Sequence, residues 1–290
     1  PYPILSGLVG SEMCIRDSHS SMRKVILTGS DGFIGKSFKK TLSKTWDIVE
    51  VEKHNCWSFL LTFRDWSQVD FICHQGANSS TVDKDLFDIW KSNTEFSLNL
   101  FQLAIEHKIP VKYASSASVY GTTNDMMNPL NYYALSKLTV DYWVQDNIKY
   151  FKHIQGFRYF NVYGEGEEEK IARDQSSPIS KFIHQAKTEG IIRVFENSKT
   201  YFRDFVCVDD LLKIILDNTR ESGIYDLGTS SPISFLAVAN IVAKYYNAHV
   251  EYIPFPKHLE GKYQTYTRAK PEWGTYKFKT VEDYVKDSLD

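Results

Sequence analysis

Short apolar runs alternate along the chain with longer stretches in which apolar positions recur every three or four residues. KVILTG from Lys24 is a β-rich run ending in glycine, and FIGKSFKKTLSK from Phe33 has helical spacing. DIVEVE and DFICHQGA read as two more strands, and DLFDIWKSNTEFSLNLFQLAIEH as one long amphipathic helix. PVKYASS is a strand, YYALSKLTVDYWVQDNI a helix, and HIQGFRYFNVYG a single strand. This alternation predicts a parallel sheet covered by helices on both faces. Beyond Gly164 the pattern loosens. SPISKFIHQAKTEG and SFLAVANIVAKYYN are helical, RDFVCVDDLLKIILDNT reads as strand then helix, and HVEYIPFP is a strand before an end rich in aromatics. The expected fold is α/β: a Rossmann-type doubly wound parallel sheet with a smaller C-terminal α+β substrate domain.

The opening segment, PYPILSGLVGSEMCIRDSHSS, has an apolar stretch but no basic region before it, which makes a poor signal peptide. Its MCIRDS resembles a translated sequencing adapter, and Met22 opens a natural start. Residues 1–21 are therefore read as a non-native leader. Residues 22–165 form the expected parallel-sheet domain, to which 204–228 return; 166–203 and 229–290 form the smaller second domain.

Composition narrows the partners. The chain has 290 residues, 42% hydrophobic and 24% charged, with a net charge of -2. That is ordinary for a soluble globular protein and gives no electrostatic reason to expect nucleic acid or an anionic membrane as partner. Cys14, Cys56, Cys73 and Cys207 lack metal-ligand spacing, so no metal is expected. Cys73 and Cys207 sit in apolar strand-like runs, which favours reduced thiols and a cytoplasmic location.

The first chemical signal is TGSDGFIG, between a strand and a helix. There Gly29 permits a tight turn, Gly32 a close backbone approach to a pyrophosphate, and Gly35 close packing of helix on strand. Glu52 ends the second strand, where a carboxylate would bind the adenosine ribose diol and favour NAD. Lys53 and His54 follow and offer positive charge to the extra phosphate of NADP, so both cofactors stay open. The second signal is NYYALSK. Tyr133 and Lys137 are four apart on one helix face, and YASSASVYG upstream delivers Ser116 from a strand end. A phenol near an ammonium is favoured toward phenolate and can exchange a hydroxyl proton during hydride transfer. YTRAK supplies a second Y-x-x-x-K at Tyr266 and Lys270, outside the strand–helix series, and is read as a decoy. In GEGEEEK, the glutamates at 165, 167 and 168 read as solvated charges.

Together these residues resemble the extended short-chain dehydrogenase/reductase family, the sugar-nucleotide epimerases and dehydratases, over residues 22–290. The dehydratase branch carries an Asp-Glu pair after the serine position; SASVYG stands here instead. GFRYFNVYGEGEEEK, YFRDFVCVDD, GIYDLGT and VEYIPFPKHLEGKYQTYT are similar to the branch of ADP-heptose 6-epimerases. That resemblance implies a second acid/base at Lys170, beside Tyr133, and a role in making precursors of the lipopolysaccharide core. Glu169 stands where many members have His, and it would raise the Lys170 pKa by pairing. The resemblance implies NADP as cofactor, with NAD the alternative, and a homo-oligomer. It implies cofactor contacts at Phe33, Ile34, Gln75, Gly76, Ala77, Asn78, Ser79, Asn93, Lys137 and Val162, besides the glycines, Glu52 and Lys53. It implies substrate contacts at Ser116, Asn161, Lys181, Phe195, Glu196, Asn197, Ser198, Arg203 and Tyr263. Arg203 suits a diphosphate because a guanidinium pairs with it bidentately; a surface pair with Asp204 is the plainer reading. Other nucleotide-sugar epimerases or reductases, and a non-catalytic NAD(P)-binding protein, stay open as alternatives.

Overall fold

The computed structural model of the chain describes residues 22–76, 85–172, 175–261 and 263–289. Residues 1–21, with the leader, and Ala77, Asn78 and Ser79 lie outside them. The strands are β1 (Lys24–Thr28), β2 (Asp47–Val51), β3 (Val69–His74), β4 (Val111–Ser116), β5 (Ile154–Tyr159), β6 (Asn161–Tyr163), β7 (Ile191–Phe195), β8 (Phe202–Arg203), β9 (Phe205–Cys207), β10 (Gly223–Leu227), β11 (Ile233–Ser234) and β12 (His249–Ile253). The helices are α1 (Phe33–Leu42), α2 (Cys56–Thr62), α3 (Leu86–Ile89), α4 (Phe96–His107), α5 (Tyr132–Asn147), α6 (Glu168–Ala172), α7 (Pro178–Glu189), α8 (Val208–Asp217), α9 (Phe235–Tyr246) and α10 (Val281–Asp287).

Six strands form one parallel sheet in the order β10-β5-β4-β3-β1-β2. This is the doubly wound fold that the alternation predicts. Successive residues of β1 feed different cores: Ile26 packs under α4 and α5 with Leu100 and Val144, while Val25 and Leu27 pack under α1 and α8 with Phe38 and Leu211. Period-2 alternation with both faces apolar requires a helix layer on each side. A third core, with Tyr163, Phe182, Ile192, Phe205 and Val238, fills the C-terminal lobe. There β12 pairs with β7 and β11 with β8.

Two segments depart from the sequence reading. The run read as one strand to Gly164 breaks at Phe160: β5 stays in the main sheet, and β6 pairs instead with β9. Phe160 N bonds to Leu227 O and Asn161 N to Asp204 O, both at 3.1 Å, so the chain changes sheet within one residue. The long helix from Leu86 to His107 is interrupted by a π-helical turn over Trp90–Glu95. This extra residue per turn directs Asn93 inward, where it is buried and donates to Ser136 Oγ at 3.0 Å. The run IIRVF, left without an element in the sequence reading, forms β7.

The sheet order reverses between β1 and β3, and the ends of these strands are tied by side chains. Buried His74 sits 2.6 Å from Thr28 Oγ1 through Nδ1 and 2.7 Å from Ser97 Oγ through Nε2. Burial, with the Lys137 charge adding to it, pushes the imidazole pKa from 6.5 down to about 3. The unfolded chain thus takes up this proton near pH 6.5 and the folded chain only near 3. Its stabilising contribution is present above 6.5 and is lost as pH falls toward 3. Unfolding free energies of wild type and His74→Gln at neutral and acid pH should therefore show a shallower acid slope in the variant. Parallel slopes would assign the acid sensitivity elsewhere.

Candidate active site

A cleft opens at the C-terminal ends of β1, β3 and β4, the usual ligand position in such sheets. The turn from β1 into α1 forms its floor. Gly29 has φ +75, and a Cβ there would overlap the backbone of Gly76. A Cβ on Gly35 would collide with the Gly29 carbonyl, so helix and strand approach closely only because both are glycine. No side chain caps α1 at Gly32, and no acidic residue stands in its first turn. Gly32, Phe33, Ile34 and Gly35, at its start, line the cleft, and an uncapped helix start there fits the pyrophosphate of a dinucleotide. Gln75, Gly76 and Val162 also line the cleft. Gly76 N donates to Thr28 Oγ1 at 2.8 Å, and Gln75 Oε1 accepts from Tyr159 OH at 2.6 Å.

At the far end of the cleft, Glu52 accepts from Ser30 N at 3.0 Å and Asp31 N at 3.2 Å. Burial raises its pKa, and these amides oppose the shift. Lys53 lies beside it and pairs with Asp88 at 3.2 Å. Glu52 is thus bound to the glycine turn itself, while Lys53 and His54 stand at the cleft wall. Asn93 is not among the residues lining the cleft; it lies behind it, against Ser136 of α5.

Ser116, Tyr133 and Lys137 line the same cleft as the glycine turn. Asn131 caps α5, accepting from Ala134 N at 2.8 Å, and so fixes the turn that carries Tyr133. Ser116 Oγ is 2.8 Å from Ser118 Oγ. Burial pushes the Tyr133 phenol up, and the Ser116 hydroxyl opposes this. Lys137 Nζ donates to Ala114 O at 2.8 Å and stands 5.8 Å from the Tyr133 ring centre. Burial lowers its pKa from 10.5 to about 8, and Asp141, one turn further along α5, opposes the fall. Asp141 was not picked out by its sequence. It is fully buried and accepts from Tyr113 OH at 2.9 Å, Ser115 Oγ at 2.7 Å and Arg158 Nε at 3.0 Å.

Lys170 lines the same cleft, with its Nζ 5.4 Å from the Phe33 ring centre. It therefore faces the glycine turn rather than open solvent. Glu169, expected to pair with this lysine, is bound by Lys36 of α1 at 3.1 Å. Glu165 and Glu168 are exposed, as read. Glu167 is not: it is 2% exposed, which overturns its reading as a solvated charge.

The implied substrate residues do not all fall in one place. Ser116 and Asn161 line the cleft. Phe195, Arg203 and Tyr263 belong to an aromatic cluster in the C-terminal lobe. Arg203 lies 5.0 Å from the Tyr263 ring centre and 5.2 Å from that of Phe235, while Phe255 packs edge-on against Phe195, Tyr201 and Tyr263. Burial lowers the Arg203 pKa, and Tyr263 opposes the shift. The surface-pair reading with Asp204 fails, because both residues are buried and Asp204 accepts instead from Thr229, Ser230 and Ala269. Glu196 is exposed; the neighbouring Asn197 Oδ1 and Ser198 Oγ are buried without a hydrogen-bond partner among the described residues. Buried polar atoms left open in this way suit a polar ligand. Lys181, on α7, is not among the cleft-lining residues. The second Y-x-x-x-K is also away from the cleft, with Lys270 Nζ 3.3 Å from Tyr120 OH.

Known proteins resemble the chain in sequence and in fold. The family model described as NAD dependent epimerase/dehydratase matches residues 25–228. The chain is 34% identical to ADP-L-glycero-D-manno-heptose-6-epimerases of Brachyspira hyodysenteriae and Alkalilimnicola ehrlichii, over 84% of this chain and 88% of each relative. The crystal structure of ADP-L-glycero-D-manno-heptose-6-epimerase from Helicobacter pylori superposes with a TM-score of 0.78 at 25% identity, covering 92% of this chain and 95% of that one. A UDP-glucose 4-epimerase from Thermotoga maritima shares the fold at a TM-score of 0.74 and 16% identity, over 92% of this chain and all of its own.

Proposed function

The chain belongs to the NAD-dependent epimerase/dehydratase family, and from that premise we propose that it inverts C6″ of ADP-D-glycero-D-manno-heptose, a step toward the lipopolysaccharide core. The observation that carries this reading is that Tyr133 and Lys170 line one cleft, which the glycine turn also lines. A bound nicotinamide dinucleotide supplies the hydride acceptor and donor. The chain's own residues then account for proton movement. Inversion at one carbon exposes its oxygen in two directions, because the hydride can approach from one side only. The heptose end must therefore rotate, and each orientation needs its own proton partner.

Tyr133 serves one orientation and Lys170 the other. Lys137, held on Ala114 O, keeps a positive charge beside the phenol and favours its ionised form. The Ser116 hydroxyl shares the substrate oxygen with Tyr133. Arg203, enclosed by aromatic rings, meets the diphosphate, which offsets the cost of burying a guanidinium. Asn197 and Ser198 offer open polar atoms to the nucleotide. We take the dinucleotide to be NADP, its extra phosphate meeting Lys53 and His54. The engagement of Glu52 with the Ser30 and Asp31 amides supports this, since it turns the carboxylate toward the turn.

Mass spectrometry of cofactor released from the purified protein tests the first part. NADP is the expected product, NAD alone would reverse the choice, and no nicotinamide dinucleotide would remove the basis of the mechanism. Incubation with ADP-D-glycero-D-manno-heptose beside UDP-galactose tests the second. Inversion of the heptose alone is expected. Turnover of UDP-galactose alone would assign a different nucleotide sugar, and turnover of neither would leave a binding protein.

A further inference from the structure

One buried carboxylate at the cleft has no part in the proton chemistry above. Glu167 accepts from Gly164 N at 3.1 Å, Ser177 N at 2.8 Å and Ser177 Oγ at 2.9 Å, and also from Ser180 Oγ. Ser177 is the N-cap of α7, accepting in turn from Ser180 N at 3.2 Å. The turn that leaves β6 and the first turn of α7 are therefore joined through a single side chain. Between them lies α6, only five residues long, with Lys170 at its centre. Ile171 N bonds to Glu167 O at 3.0 Å, and Gln175 N to Lys170 O at 2.7 Å.

A helix this short has little stability of its own in water, so its position must come from its attachments. A buried carboxylate is costly unless its oxygens are satisfied, and these receive donors from two separate segments. We propose that Glu167 is a positioning residue: its carboxylate clamps the Gly164 turn to α7 and thereby sets where the Lys170 ammonium stands over the glycine turn. The catalytic meaning of this placement rests on the two-base reading above; the placement itself does not.

The test uses the full-length holoenzyme and two readouts. The first needs no substrate. Purified wild type and Glu167→Gln are treated with formaldehyde and cyanoborohydride, and methylation of each lysine is followed by peptide mass spectrometry. Loss of the charged anchor should speed modification of Lys170 by about ten-fold or more, with exposed Lys244 unchanged as the internal control. The second readout is turnover of ADP-D-glycero-D-manno-heptose. Glu167→Gln should lower kcat by about ten-fold or more while KM moves by less than about three-fold. In a Lys170→Met background, where one-face hydride exchange with a substrate analogue is the activity left to follow, the same change should cause no further loss, because the two residues act as one unit. Unchanged Lys170 labelling overturns the proposal whatever happens to turnover, and so does an equal further loss in the Lys170→Met background. Faster labelling in a protein that inverts no heptose supports the clamp and sinks the two-base reading instead. If Glu167→Gln does not fold, Ser180→Ala removes one of the carboxylate's donors at a residue that is not among those lining the cleft. It should give the same labelling change in smaller measure, and unchanged Lys170 labelling there counts against the clamp.

Discussion

Tyr133→Phe and Lys170→Met are each expected to abolish epimerisation while leaving one proton transfer intact. Inversion requires both orientations of the C6″ oxygen to be served, so removing either partner stops the cycle. General acid–base groups typically contribute about 10²–10⁴-fold, which sets the minimum loss in kcat. The two losses differ in kind. Each single variant should still exchange hydride with a substrate analogue that needs only one face, visible as slow cofactor reduction or oxidation. The double variant should lose both. Each substitution removes the polar end of the side chain and keeps an apolar one of similar size, so neither change should disturb folding. Near wild-type epimerisation in Lys170→Met would show that this lysine is a loop charge that happens to face the cleft.

Asp141→Ala is expected to be the most destabilising single change near the site. Asp141 pairs with Arg158 at 3.0 Å with both side chains buried, and Arg158 Nη2 already lacks a hydrogen-bond partner among the described residues. Burial pushes the Asp141 carboxyl up, and Arg158, Ser115 and Tyr113 oppose this. Removing the carboxylate leaves a buried guanidinium without its counter-charge, a change that typically costs about 3–5 kcal/mol. Chemical denaturation should find a loss of that order; a loss below ~1 kcal/mol would mean that water or backbone relaxation replaces the pair. Activity should respond as well. Asp141 holds the Lys137 pKa up against desolvation, so without it that pKa falls below about 8 and the ammonium is lost at lower pH. The alkaline limb of kcat should therefore move to lower pH in any variant that stays folded. An unmoved limb would show that Asp141 acts through packing alone.

The parts of this molecule that were legible in its sequence are those in which the cause is local. Gly35 is needed because a Cβ there would meet the Gly29 carbonyl six residues earlier, and Gly29 itself takes φ +75, so both requirements show within one short motif. Tyr133 and Lys137 share a helix face by spacing alone. Lys170 is different: nothing in GEGEEEK distinguishes it from a solvated charge, and only the family resemblance singled it out. Glu167 was misread for the same reason. A glutamate reports the cost of its burial but not its partners, and here those partners are hydroxyls and amides ten and thirteen positions later in the chain. Asp204 and Asp141 were likewise hidden, because their donors come from distant elements. The change of sheet at Phe160 escaped notice because apolar alternation continues straight through it; the pairing partners that divide β5 from β6 arrive only at residues 204–227.

The position of β10 has a consequence for how the chain is made. The nucleotide-binding sheet lacks an outer strand until Leu227 has been synthesised, yet β6, α6, α7, β7 and β9 all emerge before it. During translation β5 therefore waits with one row of backbone groups unpaired while much of the other lobe is already present. Such an edge can pair with whatever extended segment is nearby, including a neighbouring nascent chain. The final pairing joins residues about seventy positions apart, Gly223 with Gln155, and contacts of that range form slowly. The sheet is therefore closed at this edge only after the residues between β5 and β10, which include much of the other lobe, have been made.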